Sequence, residues 1–469
     1  MSDARSGGDP LDRTDEDYDH HAGHGGPGYT TPQAAIEQSE PEKVAYVMGL
    51  YVGTDVDAPD FMGVVDVDPS SETYSEIVDR VEMPNRGDEL HHFGWNACSS
   101  SCHMDGLERQ HLIVPGQRSS RIHVIDTADR RNPEIENVIE PEEVFEHDLS
   151  APHTVHCIPN GEILISMLGD ENGDLPGGFL ALDENFEIAG RWEPPGEIEM
   201  NYDFWYQPRH NVMISSEWAA PRTYYPGFDL EDVEADNYGQ RLHVWDWEAG
   251  TVEQTLDLGE EGLIPLETRF LHSPESTHGY VGAALSSNVF HFYDAGTEYR
   301  ADPVIDVEAR EHDDWDMPVP GLVTDLLVSM DDRYLFFSNW LHGDVRMYDI
   351  SDPSNPRLAD QLWAGGNFGP SHPIEGEREV VGGPQMLQLS LDGERLYWTT
   401  SLFSSWDNQF YPDEAEKGSV MLKADVDPRR GTMSLDEDFL VDFGDLPAGP
   451  ARGHEIRWPD GDCTSDVWQ

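Results

Sequence analysis

The stretch Leu322–Asp349, LVTDLLVSMDDRYLFFSNWLHGDVRMYD, decides the fold. Leu322–Met330 is apolar enough to be a buried strand. Asp331-Asp332 is a turn, Tyr334–Asn339 reads as a second strand rich in aromatic residues, and Val345–Asp349 as a third that ends on an acid. Apolar runs this short, bounded by Asp, Gly and Asn, predict strands and not helices. A carboxylate at the end of a strand accepts backbone N–H groups in the following turn, so the terminal Asp is first of all a turn former.

The same unit recurs on both sides. Strands ending in Asp occur at Gly63–Asp66, His123–Asp126, Leu180–Asp183, Val244–Asp246, Phe292–Asp294, Met347–Asp349 and Leu422–Asp425, seven copies spaced 48 to 76 residues apart. Two further strands precede each copy, as in Met386–Leu391, the Asp392-Gly393 turn and Leu396–Thr400. Four-stranded units repeated seven times predict an all-β protein, a single seven-bladed β-propeller. The first unit, Val44–Met83, has three evident strands, and His454–Trp458 at the other end has no partner. The C-terminal strand is therefore expected to complete the N-terminal blade, closing the ring and removing its open edges. Residues 26–469 form this domain, and residues 1–25, acidic and rich in Gly and His, are expected to be a disordered tail. His20, His21 and His24 belong to that tail.

The 469 residues carry 93 acidic against 28 basic side chains, a formal charge of −65, and only three lysines, Lys43, Lys417 and Lys423. The acids are dispersed. Such a surface repels itself in dilute salt and is screened in molar salt, where the Debye length falls to about 3 Å. This predicts a halophilic protein and excludes a nucleic-acid partner, which needs clustered Lys and Arg. Four cysteines are too few for a disulfide-built fold of this length. The absence of an 18-residue apolar run and of a secretory leader pattern predicts a cytoplasmic protein with no membrane partner. The sequence leaves the oligomeric state open.

In a propeller the starts of the innermost strands ring one mouth of the channel. Aligning the seven units places His91-His92, His153, Tyr202-Asp203, Thr268-Arg269, Thr324-Asp325, Gln385-Met386 and Gly453-His454 there. Neutral imidazoles from separate blades can converge on one transition-metal ion. The candidate ligands are His91, His92, His153, His156 and His454. Adjacent strand residues face opposite ways, so one of His91 and His92 is expected to ligate and the other to support it. His156, three residues beyond His153, is expected on the opposite face. Cys98 and Cys102 follow the histidine pair, and a thiolate beside a cation would be nucleophilic. Cys463 is close in sequence to His454, and Cys157 reads as core. Asp325, Glu455 and Asp203 are the acids placed to move a proton. No phosphate-binding loop, dinucleotide fingerprint, nucleophile elbow or zinc-protease helix is present, so nucleotide-dependent and serine hydrolase chemistry are excluded.

Several of these segments resemble the selenium-binding protein / methanethiol oxidase family. The similarity is carried by Gly26–Pro32, by Asp88-Glu89-Leu90-His91-His92-Phe93-Gly94-Trp95-Asn96, by Tyr202–His210, by Ser338–Asp344 and by His454–Cys463. The resemblance implies a β-propeller and an oxidase that turns methanethiol, O2 and water into formaldehyde, hydrogen sulfide and hydrogen peroxide. It implies copper as cofactor, held through His91-His92, His153 and His454, with a small-molecule thiol and O2 as partners and selenium as a second ligand. The family's vertebrate members are described as binding selenium through a cysteine that follows a tyrosine in the first blade. Here Tyr74 is followed by Ser75. The alternative to an enzyme is a non-enzymatic scaffold that binds selenium or sulfur species.

Overall fold

The computed structural model describes residues 25–469. It contains seven four-stranded antiparallel sheets, and the all-β propeller read from the sequence is the observed fold. The innermost strands, in order round the ring, are Arg452–Arg457, Gly94–Trp95, Ser150–Cys157, Phe204–Gln207, Pro265–Phe270, Val323–Val328 and Leu387–Leu389. Each packs its apolar side chains between neighbouring sheets and is buried along its whole length. The outermost strands alternate instead, as in Thr251–Asp257 and Tyr299–Asp306, because one of their edges faces water. Residues 1–24, and with them His20, His21 and His24, lie outside the described residues.

The ring closes as expected. Arg452–Arg457 pairs antiparallel with Val44–Leu50, Ile456 opposite Val47. On the other side, Arg457 donates to the Phe93 carbonyl (3.0 Å) and Glu455 accepts the Phe93 N–H, joining the first blade to the second.

Turn chemistry explains the recurrent aspartates. Asp126, Asp183, Asp294 and Asp349 each accept a backbone N–H two residues on, at 2.7 to 2.9 Å. The last copy departs from the reading. Its strand, Val420–Asp427, runs two residues further, and Asp427 takes the turn N–H groups of Arg429 and Arg430. Asp425 is still in the sheet, opposite Ser434. Every blade has a register shift between its third and fourth strands, and the extra twist fans the blades apart. Helices are few and short, none longer than seven residues among the described ones.

The last residues, Asp462–Trp468, are buried across the far mouth of the channel. Asp466 accepts from Ser99 and Arg109 of the second blade, and Gln388 of the seventh donates to Thr464. Trp468 meets His272 of the fifth.

A candidate metal centre of four histidines

Four inner strands carry an irregularity at the near mouth. In Ser150–Cys157, His153 and Thr154 together face one residue of the neighbouring strand, since Pro152 pairs with Met167 and Val155 with Ile165. Leu266 and Glu267 are bulged in the same way between Pro265 and Thr268. His454 and Glu455 are bulged opposite Met48, and Thr324 is the extra residue between Val323 and Asp325. A bulge turns the side chains it releases away from the sheet face. At the start of three of these strands Ala151, within Ser150–Cys157, and Ile264 and Leu322, just ahead of theirs, take φ values of 54°, 57° and 54°, the left-handed region that residues other than glycine rarely adopt. Strain of this kind is held by the surrounding structure and gathers at functional sites.

The released side chains meet. The rings of His92 and His153 are 4.0 Å apart between centroids, His91 and His454 3.9 Å, His91 and His92 4.9 Å, and His91 and His153 5.1 Å. Ligand atoms of His91, His92 and His153 all lie within 4.8 Å of one another. His91 and His92 do not face opposite ways. They precede the strand Gly94–Trp95 and have no strand conformation, so the period-two rule does not apply to them. Their backbone is held by the left-handed Glu89 (φ 52°), which accepts the Ser404 N–H and pairs with Arg118, and by the link from Glu455 to Phe93.

Hydrogen bonds fix two of the tautomers. His454 Nδ1 lies 2.9 Å from the Ser401 carbonyl, which only accepts, so Nδ1 carries the proton. His153 Nδ1 lies 3.0 Å from the Thr154 hydroxyl, whose own proton goes to Asp203 (2.7 Å), so this nitrogen too is the donor. In both rings Nε2 is left with a lone pair, and both Nε2 atoms are buried without a hydrogen-bond partner. His92 Nε2 is a third such atom. Burial, reinforced for His91, His92 and His153 by the neighbouring imidazoles, holds all four rings neutral: His91 and His92 well below the ordinary histidine value, His153 at about 3 and His454 at about 4. Neutral rings with a free lone pair are the form that binds a metal, and an oriented Nδ1–H is its usual companion.

Carboxylates and one guanidinium surround the imidazoles. Arg269 binds Asp203 (2.7 Å) and Glu267 (2.8 Å), lies 3.9 Å from Asp325 and sits over the Trp205 ring. Glu267 is the acid the sequence reading missed. Its Oε1 lies 3.6 Å from His92 Nε2 and has no hydrogen-bond partner. The alignment put Thr268-Arg269 at the mouth, and the bulge shifts that position to Glu267. Its signal was a carboxylate flanked by apolar residues and Arg269 at the start of an inner strand. Burial pushes Glu267 well above its ordinary value and Asp325 up to about 7, against the pull of Arg269. Asp203 is held low, its burial outweighed by Arg269 and the Thr268 and Thr154 donors. Glu455 commits both oxygens, to the Phe93 N–H and the Arg457 guanidinium.

The remaining residues singled out from the sequence lie apart from this cluster. His156 is set edge-on against Phe204, Trp205 and Tyr206. Cys98 hydrogen-bonds to Ser100 and to Cys157, which is four residues, about 13 Å of strand, beyond His153. Burial alone would raise the Cys98 thiol, but the Cys157 and Ser100 hydrogen bonds and Arg109 bring it down to about 7. Cys102 is half-buried beyond the turn Ser99–Ser101. Cys463 is buried at the far mouth against the Ser390 carbonyl.

A family model described as 56kDa selenium binding protein matches residues 23–469. A methanethiol oxidase of Xenopus laevis is 50% identical over 466 residues, covering 94% of this chain and 98% of the relative. Selenium-binding protein 1 of Arabidopsis thaliana is 49% identical over 468 residues, covering 95% of each. Among solved structures, the hypothetical selenium-binding protein of Sulfolobus tokodaii superposes with a TM-score of 0.88 at 43% identity, covering 94% of this chain and 98% of that one.

Proposed function

The chain belongs to the 56kDa selenium binding protein family, and from that premise we propose that it is a copper-dependent methanethiol oxidase whose reaction centre is the four-histidine cluster. The reaction is CH3SH + O2 + H2O → HCHO + H2S + H2O2. The observation that carries this reading is the convergence of His91, His92 and His153, whose ligand atoms lie within 4.8 Å of one another, with His454 stacked on His91 and the Nε2 lone pairs of His153 and His454 left free by hydrogen bonds at Nδ1. An all-nitrogen set of neutral imidazoles suits copper, and no thiolate is required. His153 and His454 would hold it through Nε2, with His91 and His92 completing the set. His156, packed among aromatic rings, is left out. When bound, the metal supplies coordination of the substrate sulfur as thiolate and electron exchange with O2.

The chain's own residues do the rest. Asp203, held ionised by Arg269, keeps Thr154 turned so that its oxygen accepts from His153 Nδ1–H. Glu267, whose neutral form burial favours, stands beside His92 as a proton donor, so the acid left to receive the S–H proton is Asp325. Asp325 shares Arg269 Nη2 with Glu267 and, at about 7, can take and return that proton near neutrality. Glu455 positions the His91-His92 segment through Phe93. Protein loaded with copper and assayed in high salt should consume methanethiol and release formaldehyde, sulfide and peroxide in equal amounts. Copper-loaded protein that leaves methanethiol untouched refutes the proposal.

A second reading is non-enzymatic capture of a selenium or sulfur species. The Cys98 thiol, lowered to about 7, favours it. It predicts selenite-derived selenium bound in wild-type protein and lost in Cys98→Ser, with copper content unaltered.

A further inference from the structure

The imidazole cluster has an apolar neighbour. A cavity of about 20 Å³ lies against His91, walled by Tyr202, Trp218 and Phe403 and roofed by Leu322 and Leu402. The walls come from different parts of the ring and lock one another. Trp218 stacks on Tyr224 at 3.8 Å and meets Tyr202 and Phe403 edge-on at 5.4 and 6.3 Å, and Phe403 stands edge-on to His91 at 5.9 Å. Tyr202 in turn lies 4.0 Å from the His153 ring, so the cavity and the imidazoles share two walls. Thr324, also at the edge, is engaged with the Ser338 hydroxyl.

A cavity of about 10–15 Å³ holds one water, and that water needs two to four polar partners. This one is slightly larger and its lining is predominantly apolar. It suits a methyl group better than a water, and its rigid aromatic walls leave little room for a longer chain. We propose that this cavity is the alkyl site of the enzyme: it takes the substrate's methyl group, points the sulfur at the imidazole cluster, and restricts turnover to the smallest alkanethiols. The inference rests on the oxidase reading and adds to it the residues that set substrate size.

The test compares methanethiol, ethanethiol and 1-propanethiol on the copper-loaded wild type and on Leu402→Ala and Leu322→Ala. One methylene in an apolar pocket is worth about 10- to 200-fold in kcat/KM. The wild type should lose at least tenfold on going to ethanethiol and more on going to 1-propanethiol. Either leucine variant should narrow the ethanethiol gap by about tenfold or more while keeping its copper. A gap that stays within twofold of the wild type in both variants, with methanethiol still oxidised, overturns the inference.

Anaerobic titration with methanethiol removes turnover from the readout. Followed by tryptophan fluorescence, it separates a failed pocket from a failed oxidase. Saturable quenching in the wild type that weakens at least tenfold in Ala284→Leu, a cavity-filling change, supports the alkyl site even where no thiol is oxidised. Equal quenching in Ala284→Leu, or none in the wild type, overturns it.

Discussion

Replacing Arg269 by methionine should be among the most damaging single changes in the channel. The side chain is buried, and its guanidinium is shared by Asp203 at 2.7 Å, Glu267 at 2.8 Å and Asp325 at 3.9 Å. At an effective dielectric of 20, one such contact at 2.7 Å is worth about 6 kcal/mol of attraction before desolvation is counted. Methionine keeps much of the packing against Trp205 and removes the charge together with the guanidinium donors to Asp203, Glu267 and the Thr268 carbonyl. Three carboxyl groups then remain buried without their cation, and breaking a buried pair in this way costs about 3–5 kcal/mol. The loss should depend on pH. Without the guanidinium Asp203 loses the cation that holds it low, and the folded-state pKa values of Glu267 and Asp325 rise further above their unfolded values. The stability of such groups is present at low pH and is lost as pH rises through the folded value. Asp325 is already at about 7, so the variant should sit far below wild type at pH 8 and recover part of the difference by pH 5.5. Urea unfolding midpoints in molar KCl at the two pH values measure this. A change below about 1 kcal/mol at both, or a deficit that grows as pH falls, refutes the reasoning.

The ring closure makes a second prediction: Ile456→Ala, which empties a fully buried site opposite Val47, should cost about 2–5 kcal/mol in the same unfolding measurement. The formal charge of −65 predicts that the thermal midpoint rises steeply between 0.1 and 3 M KCl and that a neutral osmolyte does not reproduce the rise. In metal-free protein the buried imidazoles contribute a loss of stability as pH falls below 6.5, opposite in sign to the buried acids with raised values. Imidazoles whose folded values are lowered, to about 3 for His153 and about 4 for His454, contribute stability that is present above the unfolded value and lost as pH drops towards the folded one. His153→Gln should flatten that slope, as read by thermal midpoints between pH 7 and 4.

The fold was readable because its signals are local. An Asp at the end of a short apolar strand needs only the next two backbone N–H groups to form its turn, and Asp126, Asp183 and Asp349 do this within the sequence window that revealed them. The orphan strand at His454–Trp458 was equally visible, since an unpaired β-strand at one end requires a partner at the other. What period-two counting could not see is the set of bulges. One extra residue at His153-Thr154, at Leu266-Glu267 and at His454-Glu455 changes which side chain points into the channel. That is why Glu267 was passed over in favour of Thr268-Arg269. It is also why the His91-His92 pair, which is not a strand, was read as two-faced. Asp425 and Asp427 stand in the same alternating pattern, so the pattern alone does not tell that Asp427 makes the turn and Asp425 stays in the sheet. The separation of Cys98 from the imidazoles follows from the length of one inner strand, a distance the sequence holds only once the strand's direction through the channel is known.

Copper content, measured by mass spectrometry after loading and exhaustive dialysis, tests the metal centre most directly. Wild-type protein should retain one copper per chain, and His153→Ala and His454→Ala should each retain less than about a tenth of that while keeping the wild-type circular dichroism. Folded variants that hold copper as well as the wild type would contradict it.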